Sequence, residues 1–156
     1  MGISSDIRDR LVAIERLMEY DGEAVKAAEY VPEYIQPHQL PLFVNFTGGR
    51  ATQVQAADTF YQITRQWNIR LYGRKEGDGL RSENEARMLD LIDLTYDLFV
   101  SRPRLELNGR GLTNVVSGLI TGDSDIQVQP YPSGESDDAA FYVVTFSMDV
   151  VYRSIC

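Results

Sequence analysis

The chain has 156 residues, 44% hydrophobic and 24% charged, which suits one globular domain around one core. Its formal charge of −8, from 23 acidic against 15 basic residues, draws no phosphate backbone to the whole molecule, so tight nucleic-acid binding is not expected. No apolar run is long enough to cross a bilayer, and the first residues lack the basic start and apolar centre of a signal peptide.

Ile7, Leu11, Ile14 and Met18 step by four, three and four, which predicts a first helix capped by Ser4 or Ser5 and running to about Tyr20. Asp21-Gly22 interrupts it. A further helical turn or two is expected within residues 23–30, before Pro32, Pro37 and Pro41 impose an extended path. Leu42, Val44 and Phe46 alternate with Phe43 and Asn45, predicting a strand ended by Thr47-Gly48-Gly49. Over residues 60–72, Tyr61, Ile63, Trp67, Ile69 and Leu71 share one parity, with Arg65 interrupting. Gln62, Thr64, Gln66, Asn68 and Arg70 share the other, so this is a long strand with one wet face.

Residues 73–81, with Gly77 and Gly79, read as a loop. Ser82-Glu83-Asn84-Glu85 is a capping box that opens a helix over about residues 82–101. Its main stripe is Leu89, Ile92, Tyr96 and Phe99, widened by Met88, Leu91 and Leu98. Asp90, Asp93 and Asp97 lie on the opposite side, and Pro103 stops the helix. Asn108-Gly109-Arg110-Gly111 signals a turn, and Leu112, Val116, Leu119 and Ile120 predict a short third helix ending at Gly122. Ile126 and Val128 begin another strand, and residues 130–138 form a loop. In the final strand Tyr142, Val144, Phe146, Met148, Val150 and Tyr152 oppose Thr145, Ser147, Asp149 and Arg153. Helix, strands, helix, helix, strands is the predicted order. It implies a single α+β domain over residues 1–156, with a mixed, mainly antiparallel sheet and helices packed on one face.

Little in the chain points to chemistry. Asp90, Asp93 and Asp97 share a helical face that can in principle hold a divalent cation. A solvated acidic face is the plainer reading, because Mg²⁺ sites draw ligands from a second element or from substrate phosphates. His38 is the only histidine, which excludes sites needing two, and no Gly-x-Ser-x-Gly elbow presents a serine nucleophile. Cys156 is the only cysteine, which removes disulfides, redox pairs and thiolate clusters within the chain. Gly48-Gly49-Arg50 and Gly109-Arg110-Gly111 read as turns without phosphate-loop spacing. Neither a catalytic set nor a cofactor or metal is expected, and the chain is not expected to be an enzyme. Two small basic groups remain, Arg74, Lys75 and Arg81 around the 73–81 loop and Arg102, Arg104 and Arg110 after the acidic helix. Either group can aid solubility or dock on an acidic neighbouring subunit.

The order of these segments resembles the tail terminator proteins of long-tailed bacteriophages, the lambda-like minor tail proteins that cap the tail tube. The carriers are the helix over residues 7–18, the strand Leu40-Pro41-Leu42-Phe43-Val44-Asn45-Phe46-Thr47-Gly48 and the long strand over 59–72. The helix over 83–99, the helix over 112–120 with Gly122, and the closing strand over 140–148 complete the set. The connections at 21–41 and 73–81 are longer than the lambda-like pattern. The resemblance implies a structural virion protein, assembled in the host cytoplasm, that forms a ring, commonly a hexamer, at the head-proximal end of the tail. Its partners would be copies of itself, the tail tube protein and a head-completion or neck protein, with no membrane. It would stop tube polymerisation and offer the surface that joins the head, while DNA passes through the lumen without specific binding. Asp90, Asp93 and Asp97 are then expected to face that lumen. The competing readings are another neck component such as a stopper, a small metal-dependent hydrolase using the three aspartates, and a monomeric ligand-binding domain with a deep apolar pocket.

Overall fold

A computed structural model describes residues 3–32, 35, 37–57, 60–74, 81–130 and 140–155. Helix α1, Ile3–Glu15, is shorter than its apolar spacing suggests. Ile7, Leu11 and Ile14 are fully buried, and Met18 is buried too, but from beyond the helix end. Bonds from Leu17 N to Ile14 O (3.0 Å) and Met18 N to Glu15 O (3.1 Å) tighten the last turn and swing Met18 onto the same face. Ser4 and Ser5 lie inside the first turn rather than before it.

The expected helical turns within 23–30 are strands instead. Strands β1 (Glu19–Tyr20) and β2 (Glu23–Ala24) pair around Asp21-Gly22, whose φ values of 54° and 80° fit the tight turn that an Asp-Gly pair favours. β3 (Lys26–Ala27) then runs parallel to the start of β4 (Leu42–Ala57), after a 3₁₀ turn at Pro37–Gln39. β4 does not stop at Gly48-Gly49. It continues and pairs antiparallel with β5 (Phe60–Arg74), and a register shift between Thr47 and Ala51 accommodates the two glycines.

Helix α2 spans Arg81–Val100, one residue ahead of the expected cap at Ser82. The segment expected to form a third helix is strand β6, Val115–Asp123, followed by β7, Gln127–Pro130, and β8, Ala140–Ile155. Val115, Val116, Ile120 and Thr121 are β-branched and Gly118 sits between them, a composition that fits a strand better than a helix. The loops expected over 73–81 and 130–138 fall mainly on residues outside those described; Gly73 and Arg74 belong to β5, Arg81 to α2 and Pro130 to β7.

The fold is α+β. The main sheet has the order β3-β4-β5-β8-β6, with β7 paired to β8 beyond the end of β6, and every pairing except β3 with β4 is antiparallel. Both helices pack on one face. Ile7 and Leu11 of α1 and Met88, Leu91 and Phe99 of α2 meet Phe43, Trp67, Ile69, Leu71, Phe146 and Met148 there. The parities expected for β5 and β8 are those observed. On the opposite face a smaller cluster of Leu42, Val44, Tyr72, Phe141 and Val143 covers one end. Past it, Gln66, Asn68, Thr145, Ser147 and Asp149 are half-buried, and neither α1 nor α2 lies over them.

Candidate functional site

The side chains that sequence reasoning singles out occupy two surfaces. The first is the outer face of α2. Its buried stripe is Met88, Leu91, Thr95 and Phe99, rotated from the expected one, so that Leu89 points outward at 55% exposure. Thr95 fits the apolar stripe because its hydroxyl donates to Leu91 O at 2.7 Å, leaving its methyl for the core. The rotation follows from the sheet, since Met88 seats against Gly73, where a Cβ would collide with its sulfur.

Asp90, Asp93 and Asp97 are exposed on the outward side, as expected. Leu89 and Val100, the latter 74% exposed, share that side, so the face is mixed rather than a plain acidic wall. Asp90 accepts a hydrogen bond from the Tyr20 hydroxyl at 3.2 Å, which fastens the β1–β2 hairpin to α2. Desolvation, followed by that bond and the charges of Asp90 and Asp21, pushes the Tyr20 hydroxyl above its ordinary pKa. Tyr96 is pushed up as well, by desolvation first and then by the charge and hydrogen bond of Asp123, so β6 adds another carboxylate beside α2. Among the described residues no three His, Cys, Asp or Glu side chains are grouped to hold a metal ion.

The second surface is the 101–114 connection. Arg102 is committed to its own chain. Its Nη1 donates to Leu98 O at 2.9 Å and to Ser101 Oγ at 3.0 Å, closing the C-terminus of α2 where carbonyls lack helical partners. Arg104 and Arg110 are exposed. Asn108-Gly109, with φ values of 54° and 80°, turns the chain so that Leu107 and Arg110 exchange backbone bonds of 2.9 and 3.1 Å. Arg10 of α1 holds the connection from below, its Nη1 donating to Leu105 O and to Arg110 O, each at 2.9 Å. Leu105 is fully buried against Gly118, where an added Cβ would lie 2.8 Å from Cδ2, and Gly118 N donates to Pro103 O at 2.7 Å. A rigid base thus presents Arg104 and Arg110.

Arg74 is exposed at the end of β5, apart from this connection in the chain. Lys75 lies outside the described residues, as does the side chain of Arg81, the first residue of α2. His38 sits exposed in the 3₁₀ turn, where its carbonyl accepts from Lys26 Nζ at 2.7 Å. Gly48, Gly49 and Arg50 lie within β4 and form no terminal turn. An open cleft of about 300 Å³ between α1 and β4, bordered by Arg8, Tyr30, Asn45 and Trp67, completes the surface around α1.

Sequence reasoning missed Arg10 and Glu15. Arg10 carries no signal, because its acceptors are backbone carbonyls about a hundred positions away. Glu15 had one, since a carboxylate directly after Ile14 at the end of an apolar stripe falls close to the core. No protein-family model matches this sequence, and no curated protein matches it. Among the described residues no helix is long and apolar enough to cross a membrane.

Proposed function

We propose that this chain is a structural subunit of a bacteriophage tail, forming a ring at the head-proximal end that stops tube growth and provides the surface for head joining. The reading rests on the order of elements: amphipathic helix, long β4–β5 hairpin, acidic helix, and a closing strand laid along the full length of β5. One carrier of the resemblance is lost, because 112–120 is mainly strand. The others retain their element types.

The observation that carries the proposal furthest is the outward face of α2, where Leu89 and Val100 stand exposed among Asp90, Asp93 and Asp97. Exposed apolar side chains beside carboxylates give this helix an outward face on which a neighbour can bury apolar area and pair charge, and an assembling subunit needs such surfaces. A terminator binds the last tube ring through one face and offers none that accepts another tube subunit, which closed ring symmetry achieves without catalysis. The partners on this reading are other copies, the tube protein and a neck protein. The test is electron microscopy of tails assembled with and without this gene product. Overlong, headless tubes in its absence support termination, whereas tubes of normal length that fail to acquire heads point to a stopper or other neck component.

A further inference from the structure

We infer that the outer face of α2 docks on the 101–114 connection of a second copy of this chain, so that neighbouring subunits join head to tail through two different patches. The inference rests on the ring reading above and gives it a contact. It also assigns α2 to a subunit boundary in place of the lumen.

Within one chain these surfaces carry charges that lack a direct partner among the described residues. Among the described residues the side chains of Asp93 and Asp97 have no ion-pair or hydrogen-bond partner, and neither do the guanidinium groups of Arg104 and Arg110. All four are exposed. Opposite charges on different patches of one molecule favour contact between copies over contact with themselves. Both patches carry apolar parts as well. Leu89 and Val100 flank the aspartates, while Pro103, next to Arg104 in the chain, is exposed and is held to β6 by the Gly118 N to Pro103 O bond.

Both patches are held rigidly, which lowers the ordering cost of docking. α2 is seated through Met88, Leu91 and Phe99, and the connection is held by Arg10 and by Leu105. Arg102 is excluded from the contact because its guanidinium closes α2. Since the two patches differ, the contact is heterologous, and repeating it closes a ring when the rotation between copies allows.

Two double variants test the pairing. Asp93→Arg with Asp97→Arg makes both patches basic, and Arg104→Glu with Arg110→Glu makes both acidic. All four sites are exposed, so unchanged thermal melting is expected and separates docking from folding. By sedimentation velocity over a concentration series, the wild type should self-associate, more weakly at high salt. Each double variant alone should associate about tenfold or more weakly, and an equimolar mixture of the two should recover association, because each then supplies the complement the other lacks. Wild-type association with both variants unchanged overturns the pairing while leaving the ring reading standing on another contact. A wild type that stays monomeric throughout, or a mixture that does not recover, also overturns it, and the tail experiment then decides the ring reading separately.

Discussion

Asn45 Nδ2 donates a 2.7 Å hydrogen bond to Glu15 Oε1 in the core, joining the end of α1 to β4. Glu15 is fully buried, and its Oε2 and the Asn45 Oδ1 have no hydrogen-bond partner among the described residues. A protonated Glu15 lowers the cost of this burial, because the neutral acid leaves no uncompensated charge in the core. Desolvation raises the Glu15 pKa from 4.5 to about 8, against smaller opposing effects of the Asn45 bond and the Arg16 charge. Position at a helix C-terminus disfavours the carboxylate further.

Stability should therefore depend on pH through Glu15. The folded state keeps its proton where the unfolded chain has lost it, so the contribution is complete below about pH 4.5 and is lost as pH rises to about 8. The slope from one such group is at most about 1.4 kcal/mol per pH unit. Glu15→Gln, neutral at every pH, should remove that part of the slope in urea titrations across this window. Equal slopes for variant and wild type would count against a neutral Glu15.

The orientation of α2 separates two neighbouring stripes. Phe99 is 2% exposed, and Phe99→Ala should cost about 3–5 kcal/mol as its volume is lost from the core. Leu89, at 55% exposure, should tolerate Leu89→Ala within roughly 0.5 kcal/mol in the isolated chain. Chemical denaturation of both variants checks the contrast, and comparable losses would mean that the stripe expected from the sequence faces the core.

Arg10→Ala should loosen the 101–114 connection specifically. Removing a cation that serves Leu105 O and Arg110 O costs about 1–3 kcal/mol where the acceptors are buried, and less where water replaces it. Hydrogen exchange should quicken at Leu105 and Leu107, whose amides bond within the connection, while the β5 and β8 amides stay protected. Uniform quickening would indicate that Arg10 holds the whole domain.

Gly118→Val probes the same base from the sheet side. Its side chain meets Leu105, which is fully buried and held at φ 54°, so relief by a simple rotamer change is restricted. A loss of roughly 1–3 kcal/mol is expected from overpacking. A melting temperature equal to that of the wild type would show that the connection shifts freely.

Much of this architecture is legible in residue order because β5 and β8 alternate over their middle stretches and β8 closes the sheet. α1 and α2 are also legible, as each carries an apolar stripe. The misread third helix has a simple cause, that short apolar runs do not fix a period. Leu112, Val116, Leu119 and Ile120 satisfy a helical spacing, yet their β-branched neighbours and Gly118 form β6 along β8. Asp21-Gly22 carried a hairpin signal that was masked by strands only two residues long. The α2 face was legible as acidic but not as mixed, because the rotation that exposes Leu89 is set by Gly73 on a distant strand. The joining of Arg10 to Leu105 and Arg110 lies beyond any local pattern.

The proposed role is tested most directly by measuring tail length and head attachment in particles assembled without this protein. Tubes that overrun their normal length and carry no heads are the expected result, with normal length restored when the wild-type chain is supplied. Tails of ordinary length joined to filled heads in its absence would contradict the account.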